Sequence, residues 1–527
     1  MTHFLRARRA RLLAASAAVI LPLIPAAAVS ATPLLPRGSS LSSAAEADEV
    51  LRERTIPLRT ADFVPLCEKT PFGAPGEHTV TFFDDVRLTA VEDGIDAEEG
   101  TLTWSGHVKG RPETSVIISL RGVCGTDPAA PGTATVQAVA DLGPRVYRME
   151  SLPGRRNQLR VTEEDPALRP SNPPDALPTD TDTDTDTDTD TATTGTGRGA
   201  LLNRSRATAE DPAVIDVIAG YTRRAVSAAG GEQQVVNTLN WAERKMNEAF
   251  ADSGVPARIE ILGTYDTGYQ GDNTSALVHR KLTDRRDPLG ARAAVLRDRY
   301  GADLVTVVNS VDPGQSSGQG NLPLRGRFDA REAFSVVDFT SLTGWYNLGH
   351  EIGHNLGMFH DRATLDSQVP DGSWTRLLNS PSGTGWITPR GDFHTLMAYA
   401  DACPRQCGAV NQFSNTENTV NGQPLGDRNN NGAALVSLTA PVVADYRAPV
   451  LPRTRYALTL SATDGGTVRP GMYGPYRPGA VVSVTARPAP GYRLAAWQFD
   501  GVQYAPDSQV NLTMDRPHTL RAVFLPE

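Results

Sequence analysis

The most informative segment of the chain is His350-Glu351-Ile352-Gly353-His354-Asn355-Leu356-Gly357-Met358-Phe359-His360-Asp361. On an α-helix, residues four positions apart lie on one face, so His350 and His354 can direct imidazole nitrogens at one metal ion. Gly357 can end this helix with a positive φ, which is cheap only for glycine, and the turn returns His360 as a third ligand. Three histidines with one open position suit a catalytic zinc ion, whose fourth position must hold water. The segment therefore predicts one zinc ion.

Glu351 is the predicted general base. It is displaced by about 100° around the helix from His350, so its carboxylate can lie beside a zinc-held water without binding the metal. A bare His-Glu-x-x-His pattern has a real false-positive rate, because two helical histidines can be ordinary surface residues. The added Gly357 and His360 remove most of that risk.

A second motif, Thr395-Leu396-Met397-Ala398-Tyr399, follows downstream. Together with the histidine spacing it resembles the metzincin signature, in which Met397 would form the methionine turn below the zinc ion. Taken alone, Met397 would be read as a core methionine. Tyr399 has two interpretations: a hydroxyl that holds the oxyanion or contacts the metal, or a packing residue. His394 is expected to make a local hydrogen bond and not to be a fourth ligand.

Residues 211–447 resemble a metzincin zinc endopeptidase of the secreted bacterial reprolysin-like branch. Supporting segments are residues 333–338, Asp361 and residues 411–415. The resemblance implies an α/β (α+β) domain with a twisted, mostly parallel five-stranded sheet, a zinc helix, and a cleft where an extended peptide pairs with the edge strand. Residues 315–328, in the edge-strand region, are glycine-rich and match no clear family pattern, so the substrate preference stays open.

Length and composition predict several folding units. A chain of 527 residues divides into roughly three or four domains. Composition changes suggest the following division: a signal peptide (1–31), an all-β domain (49–169), a Thr/Asp-rich disordered linker (170–210), the domain with the zinc motif (211–447) and a separate small all-β module (452–527).

Sequence periodicity supports this division. Alternating apolar and polar residues predict strands at 78–83, 101–104 and 115–120 in the first domain, and at 458–460, 481–484 and 520–524 in the last. Between them, strands at 213–219, 257–265 and 304–308 alternate with helices at 233–251 and 291–300. Strands that alternate with helices indicate an α/β unit.

The N-terminus predicts export. Four arginines within residues 6–11 precede an apolar stretch at 12–29, and Val29-Ser30-Ala31 offers small residues for cleavage. A membrane anchor is the alternative, but Pro22 and Pro25 interrupt the short apolar run. The expected location is extracellular, with cell-surface association left open. Export by the Sec or the twin-arginine route is not decided.

Charge argues against a nucleic-acid partner. The net charge is −9, and six of the aspartates lie in the Thr-Asp repeat at residues 179–190, so the remaining chain is close to neutral. A nucleic-acid-binding face would need to be basic. The expected partners are protein or peptide substrates, and the chain is expected to be a monomer.

The domain at 49–169 resembles the propeptide of secreted proteases, on residues 82–86 and 103–106. The sequence around Cys124 has some likeness to the cysteine switch of matrix metalloproteinases, in which a thiolate blocks the zinc ion. A Cys67–Cys124 disulfide is the favoured alternative, since the proline-arginine lead-in of the switch is missing. Activation would need a cut in the linker, where the candidate points are Arg198, Arg204 and Arg206.

Two features remain in the C-terminal half. Cys403 and Cys407 are expected to close a short disulfide loop, since no second cysteine pair lies nearby to complete a metal knuckle. Residues 452–527 resemble the InlB B-repeat of bacterial surface proteins and would contact a cell surface or matrix. Trp497 is expected in the core of this module, with a sugar-stacking platform as the alternative.

The leading functional prediction is a secreted zinc-dependent endopeptidase that is made as a zymogen. The alternatives are a catalytically silent zinc-binding adhesion protein and a zinc hydrolase of cell-wall glycopeptides. Nothing in the sequence identifies the physiological substrate, the cleavage preference or a calcium requirement.

Overall fold

The computed structural model describes residues 49–527 except 99, 125–133, 153, 156, 166–167, 169–173, 175–206, 210, 272–273, 313, 344–345, 406 and 451–452. The predicted signal peptide lies outside the described residues, as do most of the predicted linker and the three candidate cleavage points at Arg198, Arg204 and Arg206.

The N-terminal β-domain (residues 49–169) is an antiparallel meander, as its alternating pattern predicts. Its strands are β1 (Val50–Pro57), β2 (Phe72–Gly73), β3 (Glu77–Phe83), β4 (Val86–Glu98), β5 (Thr101–Val108), β6 (Arg111–Arg121), β7 (Thr135–Asp141), β8 (Val146–Ser151) and β9 (Gln158–Glu164). β4 to β9 pair in sequence order and β1 closes the row against β9. Trp104 is fully buried in this core and its indole N–H donates to Glu92, so it is a core residue, as expected.

The central domain (residues 211–447) is built on a five-stranded sheet. Its strands are β10 (Ala213–Tyr221), β11 (Ala257–Asp266), β12 (Leu304–Asn309), β13 (Gly318–Gly320) and β14 (Phe334–Asp338), in the order β11-β10-β12-β14-β13. All neighbours are parallel except β13, which runs antiparallel to β14 at the edge. This matches the expected mostly parallel sheet. Four short strands lie outside it: β15 (Phe393–Thr395), β16 (Gly408–Val410), β17 (Thr419–Val420) and β18 (Gln423–Pro424).

Helices cover this sheet. They are α1 (Arg223–Ala229), α2 (Glu232–Asp252), α3 (Ser275–Thr283), α4 (Pro288–Tyr300), α5 (Asn347–Asn355), α6 (Arg362–Gln368) and α7 (Gly432–Val443). α4 begins with a proline after its N-cap Asp287 and ends at Gly301 with φ 65°, which is the usual asymmetry of helix ends. α2 is buried along much of its length, including the charged Glu243, Arg244 and Lys245. A helix buried around most of its circumference must be covered on more than one side.

The C-terminal module (residues 452–527) contains β19 (Leu458–Ala462), β20 (Gly466–Pro470), β21 (Val481–Pro488), β22 (Tyr492–Phe499), β23 (Val502–Tyr504), β24 (Gln509–Thr513) and β25 (His518–Pro526). Trp497 is fully buried in its core, as expected, which argues against a sugar-stacking platform.

The module has its own hydrophobic core, but the sequence did not predict that it shares a sheet with the N-terminal β-domain. β21 pairs with β4 of the N-terminal β-domain, and β24 pairs with β2, so one sheet runs through both parts of the chain. Alternating patterns reveal strands but not their partners, because period two is the same in any sheet. The junction therefore could not be read from the sequence.

Among the described residues, none of the helices combines the length and the apolar character that a bilayer crossing would need.

Candidate metal centre

The three predicted histidine ligands meet at the C-terminal end of α5. His350 and His354 lie one turn apart on this helix, which stops at Leu356. Gly357 then takes φ 88°, as predicted for the turn that ends the helix, and the chain returns to place His360 opposite. All three imidazoles are buried, and their candidate ligand atoms lie within 4.8 Å of one another. The structure thus brings together the set that the spacing predicts.

Each imidazole is oriented by a hydrogen bond from Nδ1. His350 donates to the carbonyl oxygen of Leu396 over 2.8 Å, and His354 donates to that of Met358, also over 2.8 Å. His360 faces the side-chain oxygen of Gln368 at 3.2 Å. Because carbonyl oxygens only accept, the proton belongs on Nδ1 and the lone pair on Nε2, the tautomer that binds metal. Sequence reasoning missed Gln368 and these carbonyl partners, since nothing in the motif indicates them.

The donor set fits a divalent metal ion. The Nε2 atoms of His354 and His360 lie 3.0 Å apart. Two lone pairs at this distance repel each other unless a cation or a proton lies between them. Neutral imidazole nitrogens are typical zinc ligands, and three of them leave room for a fourth, exchangeable ligand. Among the described residues this is the one cluster of histidine, cysteine or carboxylate side chains with such convergence.

Glu351 is buried beside the three histidines but is not a member of their converging group. Its carboxylate lies directly against the backbone of Gly318 in the edge strand β13. The predicted general base is therefore positioned between the metal-binding helix and the strand expected to bind a peptide.

The segment predicted to form the methionine turn packs against α5. Met397 is fully buried, and its sulfur packs against Gly353 of α5. The ring of Tyr399 makes edge contacts with two ligands, with centroids 5.3 Å from His350 and 5.0 Å from His360. Both observations agree with the predicted place of this turn, and the role of the Tyr399 hydroxyl stays a prediction.

Asp361 ties the turn to the metal-binding segment. Its carboxylate caps α6 by accepting from the backbone N–H of Thr364 at 2.9 Å, and it also accepts from the N–H of Tyr399 at 3.2 Å. The Asp361 side chain thus fixes both the backbone that follows His360 and the position of Tyr399, whose ring contacts two of the imidazoles.

His394 lies outside the three-histidine group. Its Nδ1 is 3.0 Å from the carbonyl oxygen of Thr395, which is the local hydrogen bond expected for it. Burial lowers the pKa of this imidazole, so it is neutral at physiological pH.

Three asparagine amides hold the edge-strand segment against the centre. Asn347 donates to the carbonyl oxygen of Ser317 at 2.6 Å, and Asn355 donates to that of Asn321 at 2.9 Å. Both asparagines belong to α5, so this helix is hydrogen-bonded to the residues directly before and directly after β13.

The third amide, that of Asn379, joins the segment to the helix-ending turn. Its nitrogen donates to the carbonyl oxygens of Pro323 at 2.6 Å and Gly357 at 2.8 Å, and its oxygen accepts from Gly326 at 2.7 Å. No sequence motif indicates a role for Asn379, because it is far along the chain from each of its partners.

Both predicted disulfides are present, Cys67–Cys124 and Cys403–Cys407. Since Cys124 is bonded to Cys67, it offers no thiolate to a metal ion. The structure therefore supports the disulfide over the cysteine-switch alternative.

Comparisons with known proteins agree with this centre. Residues 211–431 match the family described as metallo-peptidase family M12B, reprolysin-like, and residues 456–527 match the divergent InlB B-repeat domain. A peptidyl-Asp metalloendopeptidase of Xanthomonas campestris pv. campestris is 28% identical over 392 residues, which cover 70% of this chain and 82% of that protein. A peptidyl-Asp metalloendopeptidase of Stenotrophomonas maltophilia is 30% identical over 245 residues, covering 46% of this chain and 54% of that protein. The chain thus spans about half the length of this second relative.

A solved structure, metalloproteinase-II from Bacteroides fragilis, aligns with 55% of this chain and 82% of its own, at 13% identity and a TM-score of 0.32. A likeness at that score supports no conclusion about the fold.

Proposed function

We propose that this chain is a secreted zinc-dependent endopeptidase made as a zymogen. Its residues 211–431 are a reprolysin-like M12B metallopeptidase domain, and its residues 456–527 are a divergent InlB B-repeat domain. The observation that carries the proposal is the convergence of the three buried histidines next to Glu351. Export is supported by the signal-like residues 1–31, and the zymogen by the propeptide-like character of residues 49–169.

His350, His354 and His360 would hold the zinc ion through Nε2. When bound, zinc supplies Lewis-acid chemistry: it lowers the pKa of a water molecule and polarises the scissile carbonyl group. Glu351 accepts the proton from the attacking water and delivers it to the leaving amine. The Nδ1 hydrogen bonds fix the orientation of the imidazoles, so the ligands need not reorganise during turnover.

The edge strand β13 would bind the peptide substrate. A short antiparallel strand at the edge of a sheet can pair its outer backbone groups with an extended chain. Such backbone pairing contributes affinity but does not depend on the side chains of the substrate. Selectivity must therefore come from pockets beside the metal. Because the two relatives above are named for aspartyl bonds, we propose that this chain also cleaves peptide bonds next to aspartate.

The test uses the purified chain without residues 1–31, after limited proteolysis of the linker. The substrates are two peptides that differ only by Asp or Asn at one position. Chelator-sensitive cleavage of the Asp peptide is expected, with the Asn peptide cut at least about tenfold more slowly, since an unpaired charge-binding group in the pocket penalises the neutral analogue.

Glu351→Gln is expected to lose turnover and keep zinc, whereas Glu417→Gln, an exposed carboxylate in the same domain, should behave as the parent chain. Zinc binding without cleavage of any peptide in a varied pool would overturn the endopeptidase and favour a binding protein. Equal cleavage of both peptides would overturn only the aspartyl selectivity.

A further inference from the structure

We infer that the C-terminal module is a built-in receptor for the chain's own N-terminal β-domain, which stays bound without a covalent link after the linker is cut. The cut itself rests on the proposed zymogen processing. The docking does not depend on catalytic activity, because it follows from contacts that described residues of the N-terminal β-domain make with the module and with the central domain.

The first contact is a strand addition. β21 of the module pairs antiparallel with β4, Val481 opposite Ile95 and Val482 opposite Gly94. The side chain of Val481 is buried within the hydrophobic core of the N-terminal β-domain. An exposed strand edge is a ready template for another strand, and here the module occupies it.

The second contact is another strand pairing, made by a different strand of each part. β2 of the N-terminal β-domain pairs with β24 of the module, Phe72 opposite Leu512. The Phe72 ring stacks on Phe499 with a centroid distance of 4.5 Å and lies 4.4 Å from the ring of Tyr504. Val481 thus lies in the core of the N-terminal β-domain, and the partly buried Phe72 packs against the core of the module, as at obligate interfaces.

The third contact is a buried polar cluster. Glu92 is almost fully buried, and Asn511 of the module donates to both its backbone oxygen and its carboxylate at 3.0 Å. Trp104 donates to the other carboxylate oxygen at 3.1 Å. A second polar link joins Arg477 to Asp96 at 3.0 Å. Without the module Glu92 would lose both hydrogen bonds from the Asn511 amide, one of them to its carboxylate, and a buried carboxylate that loses a donor is destabilised.

The opposite face of the N-terminal β-domain docks on the central domain. Its residues Ile117, Val139 and Val146 belong to the same buried cluster as the residues of α2. Asp141 accepts from the hydroxyl of Tyr346, the residue just before α5, at 2.9 Å. The coverage of α2 by this face explains why the helix is buried on more than one side.

The module and the central domain act together because they remain one chain after a linker cut. Their connection is itself anchored, since Arg453 contacts Asp216 of β10 and Arg455 contacts Glu260 of β11. A partner held at two sites of one continuous chain leaves only when both sites release it, and the second site acts at high effective concentration. Cutting the linker therefore does not release the N-terminal β-domain.

The experiment uses the full chain without residues 1–31, carrying Glu351→Gln and a recognition sequence for a site-specific protease in place of residues 191–197. After complete cutting, both fragments are expected in a single gel-filtration peak at about 1 µM protein, as a dissociation constant well below that concentration predicts. Fragments that elute in two separate peaks would overturn the inference.

A double variant, Phe72→Ala with Asn511→Leu, tests the receptor role of the module. It removes a ring stack and a pair of hydrogen bonds, so the fragments are expected to dissociate with a constant raised about 100-fold. Leu525→Ala, an exposed apolar residue of the module, is the matched control and should leave the constant unchanged. Co-elution that the double variant does not weaken would show that the module is not the receptor.

The circular dichroism of each uncut variant must match that of the parent, so that a folding failure is not read as dissociation. Because Glu351→Gln is silent in peptide cleavage, this test stands apart from the endopeptidase test. If the fragments stay together but the chain with Glu351 intact cuts no peptide in the endopeptidase test, that result would contradict the proposed function alone.

Discussion

A β-carbon on Gly318 would overlap the carboxylate of Glu351. The edge strand thus lies so close to the proposed general base that only a residue without a side chain fits. Gly320, two residues on, similarly faces the backbone of Glu351 and the β-carbon of His354. The glycine-rich edge-strand region, which matches no clear family pattern, therefore has a steric reason in this structure.

Gly318→Ala is expected to displace the Glu351 carboxylate and leave the histidines in place. A misplaced base should lower kcat by about 10- to 100-fold while the zinc content stays at one per chain. Kinetics and metal analysis of the same preparation check this. Gly471→Ala is the control, because its added β-carbon meets only ordinary contacts at 3.7 Å. Loss of zinc together with activity would contradict the positioning role.

Asp361→Ala is expected to lower stability by about 1–3 kcal/mol. The change removes the cap of α6 and the hydrogen bond to the N–H of Tyr399, and buried groups left unpaired add to the loss of the cap. Thermal unfolding of the zinc-loaded chain measures the effect. Asp361→Asn keeps one acceptor oxygen and should recover part of the loss. An unchanged melting temperature for Asp361→Ala would show that the cap contributes nothing.

Tyr399→Phe separates the two interpretations of this residue. The ring contacts with His350 and His360 do not need the hydroxyl, so zinc binding should be retained. If the hydroxyl helps to hold the oxyanion, kcat is expected to fall about tenfold or more with KM nearly unchanged. Steady-state kinetics on one peptide is sufficient. Full activity in the variant would leave packing as its role.

Metal removal is expected to destabilise the central domain. An ion that binds only the folded state stabilises it by about 4 kcal/mol when free metal exceeds its dissociation constant 1,000-fold. A chelator should therefore lower the melting temperature of the parent and of Glu351→Gln by similar amounts. His354→Ala should already melt lower and show no further shift. A parent melting temperature that does not respond to the chelator would argue against a metal in this centre.

Stability should also depend on pH through Asp303. Burial raises the pKa of this carboxyl to about 8, although both its oxygens accept backbone N–H groups, from Asp216 and Arg447. An unfolded aspartate has a pKa near 3.9, so between about pH 4 and 8 the folded chain keeps a proton that the unfolded chain has released. The free energy of unfolding should therefore fall as pH rises through this window, by at most about 1.4 kcal/mol per pH unit.

Urea unfolding at several pH values checks this slope. Asp303→Asn cannot titrate and should show a weaker decrease with pH, whereas Asp298→Asn, whose carboxylate is mostly exposed, should follow the parent. The same pH slope in the parent and in Asp303→Asn would remove Asp303 as the cause.

The candidate metal centre and several elements of the central domain could be predicted from local sequence patterns. His350, His354 and His360 are fixed by helix periodicity and one glycine turn, so all the information lies within a dozen neighbouring residues. Strands β10, β11 and β12 and helices α2 and α4 of the central domain likewise follow from local periodicity, and the observed α2 extends only one residue beyond the predicted range at either end.

The surroundings of that centre depend on contacts between distant parts of the chain, which local sequence patterns do not encode. Gly318 against Glu351, and Asn379 across the turn at Gly357, join residues that are far apart in the chain. The shared sheet of the N-terminal β-domain and the C-terminal module joins residues hundreds of positions apart. An alternating pattern encodes which face of a strand is buried. It does not encode which strand lies beside it, because the backbone hydrogen bonds that pair two strands do not depend on their side chains. Partner choice is set by the packing of whole domains, which no local pattern records.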